Sequence, residues 1–162
     1  MIPKTISPEL KQFICNGFLL IKHSSYDYKQ KSDLLGSLIS MGAGSGWRPR
    51  EITIGALNLF IANNFKIPKG LERAHIFHRR DTMKELIESD WEKDEWWDWL
   101  KERDYTVLAI RSENRDEKNF SNIQKFEIPL DLNLFWGKRV GFEYGDKEKE
   151  FVKALAKQQR LV

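Results

Sequence analysis

Apolar side chains recur at helical spacing in the first forty residues of the chain. Ser7-Pro8-Glu9 has the features of a helix start, with a serine N-cap, a proline in the first turn and an acid near the positive end of the helix dipole. The apolar positions that follow predict one helix over residues 8–22 and a second helix that ends near Gly42. These positions are Leu10, Phe13, Ile14, Phe18 and Ile21 in the first helix, and Leu34, Leu35, Leu38 and Ile39 in the second.

A glycine-rich stretch, residues 42–46, comes next and predicts a linker. It does not match a phosphate-binding loop, because no Gly-Lys-Ser/Thr ending follows it. Residues 47–51 then predict the start of a third helix, with Pro49 in its first turn. Asn63-Asn64 and Pro68 are expected to end that helix.

The second half of the chain mixes helical and extended patterns. After a predicted turn at Lys69-Gly70, the expected elements are a short extended piece at 71–77, a helix capped by Asp81, an acidic helix at 91–103, a strong strand at 105–110, a polar loop at 111–122, an edge strand at 141–144 and an amphipathic helix at 146–159. The chain is therefore predicted to be α+β, with a helix-rich N-terminal half followed by a small sheet and a C-terminal helix. The length of 162 residues predicts a single domain.

Charge is distributed unevenly along the chain. The net charge is only +3, but residues 46–80 hold seven basic and two acidic side chains, and residues 81–105 hold ten acidic and four basic ones. A local positive field is then expected around the basic stretch, which would suit a polyanionic partner. The alternative is that both stretches are ordinary solvated helix faces.

Several classes of protein are excluded or disfavoured by composition. The single cysteine, Cys15, allows neither an internal disulfide nor a cysteine-based zinc site, and its apolar surroundings predict a buried side chain. The chain starts without a signal-peptide pattern, and it has no apolar run of about 20 residues that could span a bilayer. The sequence therefore predicts a cytoplasmic protein with no membrane partner.

Two of the three histidines, His75 and His78, lie in a short segment that also holds Arg73, Arg79 and Arg80. Neighbouring cations disfavour the protonated form of an imidazole, which suits a general base, and the same arginines could hold a phosphate. Both histidines could equally be structural. On a strand they would point to opposite faces, so the pair alone does not predict a metal site.

A second polar cluster, residues 111–116, follows the strongest predicted strand. It offers the cations Arg111 and Arg115, the carboxylates Glu113 and Asp116, and the amide of Asn114. Carboxylates bind hard divalent ions, and an amide can orient a histidine or a phosphate. The alternative is a solvated polar turn.

The layout of this part of the chain resembles the HNH-type nucleases, the ββα-metal class. In that layout a histidine ends a short strand, helices and a second strand follow, and Glu-Asn comes after the second strand. More narrowly, it is similar to HNH-like proteins that carry Glu-His-x-x-Pro and, later, Thr-x-Glu-Asn. The matching stretches here are residues 74–78 and 111–114, and the resemblance covers roughly residues 50–120. It implies metal-dependent phosphodiester cleavage, with His75 as the general base and Asn114 positioning that histidine or the substrate.

The chain departs from that family pattern at its metal ligands. Ala74 stands where an acidic ligand is expected, so Glu72 is the nearest substitute, and no histidine follows His78. Glu113 or Asp116 would have to complete the site, and His78 could also serve as a ligand. A hard ion such as Mg²⁺ is then expected in preference to zinc.

The sequence thus predicts a metal-dependent endonuclease on DNA, of restriction, homing or phage type. Symmetric DNA sites would fit a homodimer. The expected catalytic residues are His75, His78 and Asn114, and the expected metal ligands are Glu72, Glu113 and Asp116. The expected nucleic-acid contacts are Arg48, Arg50, Lys66, Lys69, Arg73, Arg79, Arg80, Arg111 and Arg115.

Three other interpretations are open. The same arginines could serve a nucleic-acid-binding module without catalysis. The tryptophans of the acidic helix at 91–103 could anchor a protein partner. A nuclease of a different fold could use paired carboxylates and a lysine, although no convincing motif of that kind is found.

Overall fold

The computed structural model of the chain describes residues 7–43, 49–92, 95–116, 118–134 and 144–162. Within these residues there are seven α-helices, a 3₁₀ turn and four strands. The α-helices are α1 (Pro8–Lys22), α2 (Tyr28–Ala43), α3 (Ile54–Ala62), α4 (Arg79–Glu88), α5 (Glu95–Arg103), α6 (Arg111–Arg115) and α7 (Asp146–Gln158), and the 3₁₀ turn is Phe120–Asn122. The strands are β1 (Glu51–Thr53), β2 (Leu71–His75), β3 (Thr106–Ile110) and β4 (Lys125–Glu127).

The four strands form one sheet in the order β2-β3-β1-β4. β1 is parallel to β3, with Ile52 opposite Leu108, and antiparallel to β4, with Ile52 opposite Phe126. Thr53 ends β1 and caps α3, because its side chain accepts a hydrogen bond from the Ala56 amide at 3.1 Å. The sheet therefore passes directly into a helix at this point.

Contacts divide the chain into two compact units. The first unit comprises residues 1–2, Arg48–Ala74 and Thr106–Val162, and it is called the sheet unit here. Its core joins the sheet to α3 and α7, and the side chains buried there include Ile52, Leu57, Phe60, Leu108, Leu134, Val152 and Ala156.

The second unit, called the helical unit here, comprises Pro3–Trp47 and His75–Tyr105. Its core is aromatic: the ring of Phe18 stacks on that of Trp96 with centroids 4.2 Å apart, and Trp97 meets Trp96 edge-on at 5.3 Å. Cys15 is buried in this core, as its apolar surroundings predicted. Large aromatic rings supply much of the apolar burial that a small unit needs.

The predicted α+β class is confirmed, and so are the helices over residues 8–22 and 146–159. Ser7 caps α1, since its hydroxyl accepts a hydrogen bond from the Leu10 amide. The prediction of one domain for residues 1–162 stays a prediction. No helix in the described ranges is long and apolar enough to cross a membrane.

Four local predictions were wrong. Residues 51–53 form strand rather than helix. The amide of Arg50, just before the strand, donates to the Thr106 carbonyl and its carbonyl accepts from the Ile128 amide, so the third helix starts at Ile54. Asp81 lies in the first turn of α4 and is not its cap, since that helix begins at Arg79. The acidic helix begins at Glu95, and the expected polar loop contains α6 and the 3₁₀ turn.

Some predicted features fall wholly or partly outside the described residues. In the predicted linker at 42–46, the first two residues belong to α2, and the rest are not described. Of the predicted edge strand at 141–144, only Tyr144 is described.

Candidate functional site

The imidazole of His75 lies against the carboxylate of Asp104 in the helical unit. Its Nε2 is 3.1 Å from the Oδ1 atom of Asp104. Strand neighbours explain the contact: β2 and β3 are adjacent, and the Ile76 amide, just after β2, donates to the carbonyl of Tyr105, just before β3. This hydrogen bond therefore brings His75, which precedes Ile76, close to Asp104, which precedes Tyr105.

This pair is largely, but not fully, shielded from water. The side chain of His75 is 22% exposed and that of Asp104 is 9% exposed. Although Nε2 and Oδ1 are close, the ring N–H is not aligned as a hydrogen bond, and Nε2 and Asp104 Oδ2 are buried without a hydrogen-bond partner among the described residues. Loose alignment of this kind is common at catalytic pairs that have no substrate bound.

Asp104 occupies an unfavourable place for a carboxylate. It directly follows α5, and its amide donates to the Leu100 carbonyl at 2.8 Å, so its negative charge lies at the negative end of that helix. Burial of a charge with an unpaired oxygen adds to the cost. Local rules of stability are most often broken where a residue has a functional role.

An exposed segment follows His75 in the same unit, and it carries the second histidine. Residues 76–80 are all exposed, and they include His78, Arg79 and Arg80. The Arg80 carbonyl accepts a hydrogen bond from the Tyr28 hydroxyl at 3.2 Å, which fixes the start of α4 to α2. The cations next to the histidines are thus presented from a helix start that is held in place.

Glu72, one of the predicted metal ligands, is bound on both oxygens by α6. Arg111 Nε lies 3.1 Å from one oxygen, and Asn114 Nδ2 donates to the other at 2.8 Å. Arg111 and Asn114 are three residues apart and therefore share one side of the short helix. In the sheet unit, the amide of Asn114 is engaged by this carboxylate.

Glu113, the second predicted ligand, ties the start of α3 to the end of β3. It accepts hydrogen bonds from the Thr53 hydroxyl at 2.6 Å, the Gly55 amide at 3.1 Å and the Ile110 amide at 3.2 Å. A Cβ atom at Gly55 would come within 2.3 Å of this carboxylate, so glycine is needed for the close approach. Glu113 therefore caps two helix starts at once.

Asp116 accepts two hydrogen bonds from the Asn119 amide, at 3.1 and 3.0 Å. All three predicted ligands are thus committed to other donors, and one of them faces a guanidinium. Within the described ranges, no group of three or more His, Cys, Asp or Glu side chains could hold a metal ion. As placed, these carboxylates do not fit a divalent ion, whose ligands must offer converging free oxygens.

The predicted phosphate contacts are spread over both units. In the sheet unit, Arg50, Lys66, Lys69, Arg111 and Arg115 are exposed and Arg73 is half-buried. In the helical unit, Arg79 and Arg80 are exposed. Arg48 lies outside the described residues. The predicted joining of His75 with Glu113 and Asn114 in one pocket stays a prediction.

The tryptophans of the acidic helix are part of a core. Trp96 and Trp97 are 0% and 3% exposed, and Trp91 and Trp99 pack against the same cluster. Trp96 and Trp97 are therefore too deeply buried to anchor a protein partner, whereas Trp91 and Trp99 are only partly buried.

Comparison with known proteins adds no relative: no protein-family model, no curated protein and no solved structure matches the chain. The residue that sequence reasoning missed is Asp104. It lies 29 residues after His75, and only the pairing of β2 with β3 brings the two together. An aspartate directly before the strongest predicted strand was the available signal.

Proposed function

We propose that the protein is a nuclease that cleaves phosphodiester bonds of nucleic acid with His75 as the general base. The observation that carries the proposal is the contact between His75 Nε2 and Asp104 Oδ1 at 3.1 Å. A carboxylate beside an imidazole fixes the orientation of the ring and stabilises the imidazolium that forms when the ring takes a proton. A base held in this way contributes typically 10²- to 10⁴-fold to a rate.

The surroundings of His75 support a catalytic role over a packing role. Its side chain is partly exposed, so it is not sealed in an apolar core. With Nε2 facing Asp104, the other ring nitrogen, Nδ1, is the one that can accept a proton. Arg79 and Arg80 follow within five residues and can hold the phosphate charge.

The sequence also predicted DNA as substrate, Mg²⁺ as cofactor and a homodimer, and these stay predictions of the sequence. The engaged carboxylates of Glu72, Glu113 and Asp116 do not support the metal. The role of His75 does not depend on them, since a general base acts on the nucleophile itself.

The test is a cleavage assay on supercoiled plasmid and on a single-stranded RNA, each with Mg²⁺, with Mn²⁺ and with EDTA. His75→Ala should lower the cleavage rate by at least ~100-fold. The matched control is His23→Ala, an exposed histidine of the same unit, which should leave the rate unchanged. Absence of cleavage by the unmodified protein, or equal rates for His75→Ala and the unmodified protein, contradicts the proposal.

A second candidate function is nucleic-acid binding without catalysis. The engagement of all three predicted metal ligands favours it, because the exposed arginines need no metal to bind phosphate. It predicts a mobility shift that weakens with salt, no cleavage under any condition, and no effect of His75→Ala on the shift.

A further inference from the structure

His75 and the carboxylates of the predicted metal site differ in whether their side chains are engaged by hydrogen-bond or ion-pair donors. His75 has a carboxylate 3.1 Å from its Nε2 atom, and its side chain is 22% exposed. Glu72, Glu113 and Asp116 are each committed to guanidinium, amide or hydroxyl donors. The helical unit thus offers acid–base chemistry, while the sheet unit offers no set of free carboxylates in its described part.

Phosphodiester cleavage without a metal is most accessible on RNA. In DNA hydrolysis a metal commonly generates the nucleophile and stabilises the leaving oxygen. RNA carries its own nucleophile, the 2′-hydroxyl next to the phosphate, which is also the group that distinguishes it from DNA. A base that removes the proton of this hydroxyl and an acid that protonates the leaving oxygen are then sufficient.

The histidine segment holds both of these parts in one unit. His75 and His78 are three residues apart, so their Cα atoms are at most about 11 Å from each other. His78 is exposed, and Arg79 and Arg80 follow it directly on the first turn of α4. Two imidazoles within this reach, with cations beside them, can serve the entering and the leaving oxygen of one phosphate.

From these observations we propose that the substrate is single-stranded RNA, cleaved without a divalent ion by His75 as base and His78 as acid. This inference rests on the proposed nuclease function and names its substrate class. His75 Nδ1 accepts the proton of the 2′-hydroxyl as the 2′-oxygen forms a bond to phosphorus. The bond from phosphorus to the 5′-oxygen breaks, and His78 gives that oxygen a proton. The products are a 2′,3′-cyclic phosphate and a 5′-hydroxyl, and exchange with solvent restores both imidazoles.

An exposed aromatic ring between the two histidines agrees with a single-stranded substrate. Phe77 is 39% exposed, and the guanidinium of Arg103 lies 4.6 Å from its ring centre. Arg103 is itself held by Glu85 at 3.2 Å. A ring supported on one side in this way gives a surface on which an unpaired base can stack.

The test compares an RNA oligonucleotide with the DNA of the same sequence, in EDTA and in Mg²⁺. We expect equal RNA cleavage in both buffers, DNA cleavage at least ~100-fold slower, and cyclic phosphate ends by mass spectrometry. Cleavage that needs the ion, or that is as fast on DNA, overturns the RNA inference and leaves the nuclease proposal standing. Cleavage of neither polymer in any buffer overturns both. His75→Ala and His23→Ala, purified in parallel, identify a contaminating ribonuclease, which would be equally active in both preparations.

The role of His78 has a separate test that compares the same variant on two substrates. A substrate with sulfur in place of the 5′-bridging oxygen has a leaving group that needs no proton. His78→Ala should be slow on the normal RNA and restored to the unmodified rate on this thiolate substrate, whereas His75→Ala should be slow on both. A His78→Ala variant that is equally slow on both substrates, or slow on neither, overturns the assignment of His78 as the acid.

Discussion

At the residue scale, Asp104 carries a negative charge at a position that is expected to lower stability. This feature would distinguish the proposed catalytic pair from a structural ion pair. It is mostly buried, follows the C-terminal end of α5 and leaves one oxygen without a partner among the described residues. A structural ion pair would be expected to stabilise the fold. A positioning residue is expected to lower activity when it is changed and to leave stability intact.

Asp104→Asn should therefore lower kcat about 10- to 100-fold with little change in KM, because the amide no longer stabilises the imidazolium of His75. The midpoint of urea unfolding should be equal to or higher than that of the unmodified protein, since the variant removes a negative charge at the end of a helix. Steady-state kinetics and urea titration check both. The control is Asp98→Asn on α5, the helix that ends just before Asp104, because the Asp98 side chain is 66% exposed. An unfolding midpoint lowered in Asp104→Asn and not in the control would speak for a purely structural pair.

Glu113, in contrast, is expected to stabilise the fold, since its carboxylate joins α3 and α6 in the sheet unit. Glu113→Ala leaves a hydroxyl and two amides without their acceptor and should cost about 1–3 kcal/mol in the free energy of unfolding. Denaturant titration in EDTA and in Mg²⁺ should give the same loss in both. Asp116→Asn, at an exposed residue, is the control and should change stability by less than about 0.5 kcal/mol. If Mg²⁺ stabilises the unmodified protein and not Glu113→Ala, Glu113 is a metal ligand after all.

At the scale of elements, the sequence predicts the helices better than the strands. α1 and α7 each carry many apolar positions at helical spacing, so their pattern is readable without knowledge of the fold. β1 and β4 have three residues each, which is too few to show an alternating apolar pattern. They form strands because β1 pairs with β3 on one side and with β4 on the other. Pro49 resembles a helix start and so predicts helix at residues 51–53, whereas the residue that caps α3 is Thr53.

The segment that links β2 to α4 is expected to contribute to substrate binding. Phe77→Ala should raise KM for single-stranded RNA about 5- to 150-fold, which corresponds to the 1–3 kcal/mol measured for stacking of one base, with a smaller effect on kcat. Steady-state kinetics on a short RNA gives both parameters. Ile76→Ala, at an adjacent side chain of similar exposure, is the matched control. Equal changes in KM for the two variants would remove Phe77 from the binding surface.

The start of α7 is held by Tyr144, whose hydroxyl donates to the Phe65 carbonyl at 3.0 Å. Burial, and next the negative charge of Glu148, raises the pKa of Tyr144 from 10.0 to about 12. In the unfolded chain this phenol loses its proton near pH 10, so its contribution to stability is complete below pH 10 and is lost as the pH rises toward 12.

Urea titrations at pH 9 and pH 11 should therefore show a loss of stability that is smaller in Tyr144→Phe. At pH 9 the same variant should be less stable than the unmodified protein by about 1 kcal/mol, the usual net value of one hydrogen bond. Tyr26→Phe, at a half-exposed tyrosine, controls for loss of a phenol in general. A pH response of Tyr144→Phe that equals that of the unmodified protein would contradict this assignment.

At the scale of the whole molecule, net charge is a weak guide and its distribution is a better one. The total of +3 would not by itself predict a polyanionic substrate. The candidate site could be predicted only in part: its histidines and arginines are neighbours in sequence, so their cluster was visible. Asp104 was not, because its contact depends on which strands pair, and no local pattern encodes that.

Nucleic-acid affinity should depend on salt through Arg79 and Arg80. With two phosphate contacts removed, Arg79→Gln/Arg80→Gln should lower the slope of log affinity against log salt by about 1.4 for a single strand. Fluorescence anisotropy with a labelled RNA at several salt concentrations measures the slope. Lys84→Gln on the same helix, where the lysine lies near Glu88, is the control and should leave the slope unchanged. An unchanged slope in the arginine variant means that these residues do not contact phosphate.

The interleaving of the two units along the chain has a consequence for biosynthesis. Both segments of the helical unit have left the ribosome once Tyr105 emerges, whereas β1 must wait for β3 and β4, which are translated later. The aromatic core around Phe18 and Trp96 can therefore close co-translationally while the sheet is still incomplete. For the same reason, no single proteolytic cut separates the units. A nascent chain arrested far enough beyond residue 105 for Tyr105 to have left the ribosome is the natural sample in which to observe the helical unit form.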